Sequence, residues 1–526
     1  MPQAATIMLQ GTSSDVGKSV LAAALCRILK QDGYRVAPFK SQNMSNNAYV
    51  TPDGKEIGRA QGMQADSCGI PATTDMNPIL LKPTREMTSQ VVVHGKPYRD
   101  LDARAYREQY LPIAAVLVQE ALARLRSAYD VIVIEGAGSP AEINLKDRDI
   151  VNMRLASWAD APVLLVADID RGGVFAAIVG TLELLEPEER ARVKGIVINK
   201  FRGDVSLLRP GLDWLEARTG IPVVGVVPFL PDLGLEDEDS ASLDAKRRAS
   251  GTPSETSGKA THRRLDIAVL RYPRIANFTD ADPLAAEPDV RLRYVTSASE
   301  WGEPDAVLLP GSKNTAEDLA FLRETGLEAR LLSYAERGGS VVGICGGYQM
   351  LGRRLLDPDA VESPRRETAG LGLLPTETTF TADKYTERVI GSASGRPFGG
   401  EDVWPVAGYV IHMGRTTIAT GEAAARPLQL RSEREAATEG QMRLDGAETA
   451  NGRVWGTYVH DIFRNDGLRR AWLDGLRARK GLPPGDAATA YTEQREQAFD
   501  RLADHVRRHL DMALLEHFIR QGGGTR

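Results

Sequence analysis

Cysteine is scarce: three residues in 526, at Cys26, Cys68 and Cys345. They make neither a disulfide framework nor a zinc-ligand spacing, which fits a reducing, cytoplasmic setting. Excess positive charge is missing as well. The formal net charge is −6 at pH 7, which argues against nucleic acid held by bulk electrostatics as a partner. No apolar run approaches the roughly 18 residues needed to cross a bilayer, so no membrane partner is expected. Met1-Pro2-Gln3-Ala4-Ala5-Thr6 carries no basic leader and runs straight into a strand. Internal repeats are lacking too. What remains is 42% hydrophobic and 26% charged residues, the composition of an ordinary globular protein. A chain this long exceeds a single core, so two or three domains are expected.

The first part alternates short apolar runs with helical patterns. Residues 6–10, 36–39, 131–134, 163–167, 195–199 and 223–227 read as strands buried on both faces. Helical spacing fills 19–31 and 110–125. This alternation predicts an α/β domain with a mainly parallel sheet flanked by helices over residues 1–235. Residues 236–264 open on Glu236-Asp237-Glu238-Asp239 and hold few large apolar side chains, so they read as a linker. A second strand–helix alternation, 265–480, starts at Asp266-Ile267-Ala268-Val269-Leu270, and residues 481–526 read as a C-terminal helical tail.

Val341-Val342-Gly343-Ile344 reads as a buried strand and 347–354 as a helix, with Cys345 at the corner between them. Such an elbow holds a nucleophile at a helix N-terminus, where the dipole and free N–H groups favour a thiolate. The flanking glycines permit a strained turn and close approach of a carbonyl. Cys345 is therefore a candidate covalent nucleophile. The Gly346 N–H and the loop at Gly311, after the run 306–309, are the candidate oxyanion donors. A cysteine nucleophile needs a base. Two of the seven histidines follow β-type runs, His412 after 408–411 and His460 after 454–459. Residue pattern alone barely separates them. His505 and His509 have the spacing of a helical metal pair, but no third ligand is evident and a solvated helix face is expected.

Gly11-Thr12-Ser13-Ser14-Asp15-Val16-Gly17-Lys18-Ser19 follows the first strand and opens a helix. That context suits a phosphate-cradling loop, with Gly11, Thr12, Asp15, Gly17, Lys18 and Ser19 as its nucleotide-binding set. Lys18 would meet the β- and γ-phosphates, and the Ser19 hydroxyl would take Mg²⁺. Five residues separate Gly11 from Gly17, one more than the common loop. Glu135, at the end of 131–134, is a second candidate for the metal. Asn199, ending 195–199, is a candidate for the adenine edge.

The longer loop matches the dethiobiotin synthetase-like branch of P-loop enzymes. Further motifs are Phe39-Lys40-Ser41-Gln42-Asn43-Met44-Ser45-Asn46-Asn47, Glu56-Ile57-Gly58-Arg59-Ala60-Gln61 and Met76-Asn77-Pro78-Ile79-Leu80-Leu81-Lys82-Pro83. Asp168-Ile169-Asp170-Arg171-Gly172-Gly173-Val174-Phe175, Asn199-Lys200-Phe201-Arg202-Gly203-Asp204 and Pro310-Gly311-Ser312-Lys313-Asn314-Thr315 come next, then the elbow and Gly456-Thr457-Tyr458-Val459-His460. Together, in this order over roughly residues 5 to 470, they resemble the cobyric acid synthase family.

The resemblance implies a P-loop NTPase-like synthetase domain followed by a flavodoxin-like class I glutamine amidotransferase domain. It implies an ATP-dependent, glutamine-hydrolysing enzyme of cobalamin biosynthesis. Its substrates would be glutamine and a corrinoid, adenosylcobyrinic acid a,c-diamide, whose b, d, e and g carboxylates become amides to give adenosylcobyric acid. ATP and Mg²⁺ are the implied cofactors. The resemblance selects His460 over His412 as the catalytic histidine. Most related triads carry Glu two residues after the histidine; here Ile462 stands there, so a Cys345–His460 dyad is implied. Ser41, Gln42, Asn43 and Arg171 are assigned to the corrinoid side. Two other readings stay open: the sister a,c-diamide synthase, and a P-loop ATPase switch of the partitioning kind. The switches usually carry an early loop lysine, and residues 12 to 16 contain none.

Overall fold

The computed structural model describes residues 3–85, 88–102, 106, 111–231, 233–236, 264–435, 441–486 and 490–521. The chain divides into two compact units. One comprises Met1–Ser45, Glu56–Leu235 and Gln494–Arg526; the other comprises Asn46–Lys55 and Glu236–Glu493.

Six parallel strands form the main sheet of the first unit: β1 (Ala5–Gly11), β2 (Val36–Phe39), β3 (Val131–Glu135), β4 (Val163–Asp168), β5 (Val193–Phe201) and β6 (Val223–Pro228). Their order is β6-β5-β4-β1-β3-β2. Continuous apolar runs such as Val131-Ile132-Val133-Ile134 are buried along their length, as helix-covered parallel strands must be. β1 lies between β3 and β4, so the chain reverses its direction of progress across the sheet beside the first βα loop. Ligands of open α/β sheets bind at such a switch point. Helix α1 (Lys18–Gln31) starts there and buries Leu21, Leu25, Ile28 and Leu29. A separate four-stranded sheet contains Gln42–Met44, Ile79–Arg85, Thr88–Val93 and Lys96–Asp102.

The helical stretch read as a tail is not a free appendage. Tyr491–His509 and Met512–Gln521 are helices. Phe499, Leu502, Ala503, Val506, Leu515 and Phe518 join the same apolar core as Ile7, Leu21 and Val166. The spacing 499, 502, 503, 506 and 510 is one helical stripe, which a free tail has no use for. Arg27 of α1 reaches Asp500 at 2.8 Å, and the Asp511 N–H donates to the Val224 carbonyl at 2.8 Å. Of the expected linker, residues 237–263 lie outside the described residues.

The second unit has its own mainly parallel sheet, from β7 (Leu265–Leu270), β8 (Val290–Val295), β9 (Ala306–Leu309), β10 (Ser340–Ile344) and β11 (Val454–Thr457). The order is β8-β7-β9-β10-β11, with Ala447–Glu448 antiparallel at the edge. β9, β10 and β11 are adjacent, so the loops leaving their carboxyl ends emerge together. A second, largely antiparallel sheet is dominated by the hairpin Thr376–Gly395 and Gly400–Ile418. His412 lies inside the second of these strands, opposite Tyr385, and not at a strand end as its sequence context suggests. Both units are thus α/β, with parallel-dominated sheets flanked by helices.

Truncating Phe499 removes a fully buried ring from the first unit's core. Phe499→Ala should destabilise that unit by about 3–5 kcal/mol. Thermal unfolding followed by circular dichroism checks this, and an unshifted first transition would show that the C-terminal helices do not support the core.

Candidate active sites

At the first site, the loop from Gly11 to Lys18 carries its strain openly. Asp15 has φ 59° and Gly17 φ 94°, both left-handed. A Cβ on Gly17 would stand 2.3 Å from Asn199 Nδ2, so this position has room only for hydrogen. Thr12 N–H donates to the Val166 carbonyl at 2.9 Å and ties the loop to β4. Lys18 Nζ bridges the carbonyls of Ser13 at 3.1 Å and Gly138 at 3.2 Å. Loop and lysine are thus tied together through backbone carbonyls.

β1 and β3 pair with Leu9 opposite Glu135, which brings the carboxylate under the loop. Glu135 is buried. The Ser19 hydroxyl donates to its Oε1 at 2.8 Å, and Gln64 Nε2 donates to its Oε2 at 2.6 Å. Lys40, also buried, pairs with Oε1 at 2.8 Å. Nothing in the motif around Lys40 points to Glu135 as its partner, and no local pattern marks Gln64. Ser19 and Glu135 offer hard oxygen donors of the kind Mg²⁺ takes, usually one or two protein groups alongside phosphate oxygens. The buried Gln64 Oε1 beside them has no hydrogen-bond partner, which leaves a further oxygen at the same place.

The remaining sequence candidates divide. Asn199 is buried, and its Nδ2 donates to the Val16 carbonyl at 2.8 Å, so half of its amide is committed to holding the loop. Arg171 is exposed and stands 3.3 Å from Asp15 at the loop mouth. Ser41 is fully buried, with its hydroxyl on the Ile150 carbonyl at 2.8 Å. Asn43 is buried on Gln61 at 2.9 Å. Gln42 lines a cavity. That cavity, about 620 Å³, is walled by Gln42, Leu81, Val91, Tyr106, Ile150 and Gly138, the last also holding Lys18. The Tyr106 hydroxyl donates to Gln42 Oε1. The polar run 41–47 thus reads as a substrate wall in sequence, yet Ser41 and Asn43 spend their hydrogen bonds inside the unit.

At the second site, Cys345 directly follows β10 with φ 52° and ψ −109°, a strained conformation for a residue with a side chain. Helix α2 (Gly346–Leu351) starts immediately after it. The strain is over-determined by close packing. A Cβ on Gly347 would stand 1.9 Å from the Leu309 carbonyl oxygen, and one on Gly346 would stand 2.7 Å from Ser312 N. The Cys345 N–H donates to the Thr457 carbonyl at 2.8 Å, linking the elbow to β11. Gly347 N–H is taken by the Pro310 carbonyl at 3.0 Å, which leaves Gly346 as the nearer oxyanion candidate. Gly311 follows β9, and a Cβ there would lie 3.3 Å from His460 Cε1. Strand ends thus bring Cys345, His460 and Gly311 together.

His460 is fully buried. Its Nδ1 lies 2.7 Å from Asp280 Oδ2, while Asp280 Oδ1 accepts the Asp461 N–H at 2.7 Å. The position two residues after the histidine is indeed apolar, but an orienting acid exists. It comes from a short helical turn, Phe278–Ala281, 180 residues upstream. Burial pushes the imidazole pKa down. The charges of Asp280 and Cys345, with their hydrogen bonds, outweigh that and raise it to about 10. His412 is different. Its Nδ1 lies 2.7 Å from the Gly414 carbonyl, its ring stacks on Tyr458 at 3.7 Å, and burial lowers its pKa to about 4. It stays neutral and bound to backbone. His505 and His509 rest on the carbonyls of Pro228 and of His505, at 2.9 and 2.7 Å. Among the described residues no cluster of three His, Cys, Asp or Glu side chains could hold a metal.

Residues 7–242 match the CobQ/CobB/MinD/ParA nucleotide binding domain, and residues 266–468 match the CobB/CobQ-like glutamine amidotransferase domain. The chain is 52% identical over 524 residues to the cobyric acid synthase of Geobacillus kaustophilus (strain HTA426), covering 99% of each. It is 51% identical to that of Desulforamulus reducens over 526 residues, covering 100% of each. It is 52% identical to that of Yersinia enterocolitica over 520 residues, covering 98% of each. The chain belongs to the cobyric acid synthase family.

Proposed function

We propose that the protein amidates the b, d, e and g carboxylates of adenosylcobyrinic acid a,c-diamide, using ATP and glutamine, to give adenosylcobyric acid. The observation that supports this most is the presence, in one chain, of a strained cysteine elbow with its own His–Asp pair and of a phosphate loop beside a roomy cavity. A partitioning-type ATPase switch has no use for the first of these. Mass spectrometry of the a,c-diamide incubated with enzyme, MgATP and glutamine tests the reading. Four successive acid-to-amide mass changes are expected; an unchanged corrinoid overturns it.

Glutamine chemistry falls to the second unit. His460 takes the proton of Cys345, and the sulfur attacks the side-chain amide carbonyl of glutamine. Asp280 holds the ring with Nδ1–H toward itself and supports the imidazolium that forms. The N–H groups at Gly346 and Gly311 face the developing oxyanion. His460 returns the proton to the departing ammonia, and water then cleaves the glutamyl thioester to glutamate.

A corrinoid carboxylate gains a leaving group in the first unit. Its oxygen attacks the γ-phosphorus of ATP, giving an acyl phosphate and ADP. Ammonia then displaces phosphate to form the amide. Gly11, Thr12, Asp15 and Gly17 shape the phosphate cradle, and Lys18 offsets the charge on the transferring group. Ser19 and Glu135 would hold Mg²⁺, which when bound neutralises phosphate charge. Asn199 secures the loop with one half of its amide and keeps Oδ1 for the adenine amino group. Gln42 faces the corrinoid in the cavity.

Because phosphorylation precedes nitrogen entry, Lys18→Ala should abolish amidation with glutamine and with ammonium chloride alike. Undiminished product at saturating ATP would exclude this loop as the activating site.

The glutaminase assignments separate by variant. His460→Ala should remove glutamate release, and Asp280→Asn should lower its kcat by about 100-fold or more. His412→Ala should retain most activity. A glutaminase assay on the three variants decides, and a dead His412→Ala with an active His460→Ala reverses the assignment.

Cys345→Ala should lose synthesis from glutamine and keep synthesis from ammonium salts. It should work best at mildly alkaline pH, where more of the donor is unprotonated NH₃. Equal loss with both donors, in a folded protein that binds ATP, would place Cys345 in the synthetase chemistry.

A further inference from the structure

Residues 46–55 are flanked on both sides by sequence of the first unit yet belong to the second. Their ends are pinned in the first unit. The Ser45 N–H donates to the Leu81 carbonyl at 3.0 Å, and Glu56 is buried against Lys82. Four residues before Asn46, Gln42 lines the cavity; nine residues after Lys55, Gln64 holds Glu135.

Inside the second unit the excursion reaches the glutaminase groups along three lines. The Ala48 N–H donates to Asn277 Oδ1 at 2.7 Å, and Asn277 Nδ2 stands 3.2 Å from His460 Nε2. The Tyr409 hydroxyl donates to the Ala48 carbonyl at 3.2 Å, and its ring stacks on His460 at 5.0 Å. Ala48 and Val50 share an apolar cluster with Ile411, whose carbonyl is 3.6 Å from Cys345 Sγ. Asn47 adds an anchor, its Oδ1 accepting the Phe278 N–H at 3.3 Å.

The Asn277 amide has one accepting end and one donating end. A backbone N–H can only donate, so Ala48 must face the oxygen. The NH₂ end must then face His460. A donor facing Nε2 favours the neutral tautomer with its lone pair on that nitrogen and its proton on Nδ1 toward Asp280, the form that takes a proton from Cys345. Were Ala48 withdrawn, the amide could turn and offer oxygen to Nε2, favouring the form with a proton already there.

Resting on the activity proposed above, we propose that residues 46–55 are a positioning element through which the synthetase chain sets the glutaminase. Ala48 orients Asn277, and the Asn277 NH₂ holds His460 in the tautomer that carries its lone pair on Nε2, where the thiol proton is taken. Glutamine hydrolysis then depends on how the flanking segments, which hold Gln42 and Gln64, are arranged around corrinoid and nucleotide.

The test uses the intact enzyme and measures glutamate release with and without MgATP plus the a,c-diamide. Asn277→Asp is nearly isosteric and still accepts from Ala48, but turns an oxygen toward Nε2. Its kcat should fall about tenfold or more, with KM within about threefold of wild type. Asn47→Ala loosens the excursion without touching the catalytic groups. Its hydrolysis should no longer rise on adding MgATP and corrinoid. A kcat for Asn277→Asp within twofold of wild type overturns the positioning role. Full stimulation of Asn47→Ala, or none in wild type, overturns the coupling. Failure of the wild type to amidate the corrinoid would instead sink the activity reading, since the effect of Asn277→Asp on hydrolysis does not depend on it.

Discussion

A parallel strand pair leaves both carboxyl ends on one edge of the sheet, and the main sheets of both units are built on that constraint. In the first unit it sets the loop after β1, Glu135 at the end of β3 and Asp168 at the end of β4 side by side. In the second it sets Gly311, Cys345 and the approach to His460 after three neighbouring strands. A one-residue slip of β10 against β11 would turn every side chain of the slipped strand to the other face. The pairing Ile344 with Thr457 therefore fixes the spacing of thiol and imidazole before either side chain adopts a rotamer. Chemistry here is a by-product of register.

Each site also buries charge, which is tolerable only when it is answered. Glu135 would be costly to bury alone; Lys40, Ser19 and Gln64 answer it on both oxygens. Asp280 is answered by His460 and by the Asp461 N–H. In both cases a carboxylate organises donors from distant parts of the chain. Rigidity at the reacting groups follows, because moving one partner strands another.

What could be read from residues alone was what is local. The phosphate loop and the cysteine elbow each lie within a dozen residues and carry their turn chemistry with them. Asp280 was not legible, because it meets His460 only through the fold. The acids at 280 and 282 within the apolar stretch Phe278–Leu284 were the one available signal. The pairing of Lys40 with Glu135, and the part played by Gln64, are hidden from the residue pattern for the same reason. Ser41 and Asn43 show the opposite limit: a run of polar side chains does not reveal which of its hydrogen bonds are internal. The stripe at 499–510 was plainly amphipathic, but which core it served could not be known from spacing.

That stripe bears on how the protein is made. The first unit's core takes in Phe499, Val506 and Phe518, yet all of 236–493 leaves the ribosome before them. At ordinary rates of synthesis that is a wait of roughly tens of seconds. During it the nucleotide-binding half has an uncovered apolar face around α1. The glutaminase half, continuous apart from residues 46–55, is largely emitted by then. Order of synthesis and order of completion are thus inverted: the unit begun first closes last. A ribosome that stalled before residue 494 would release a chain whose ATP-handling half is unfinished. Such a chain would be a ready client for chaperones and proteases.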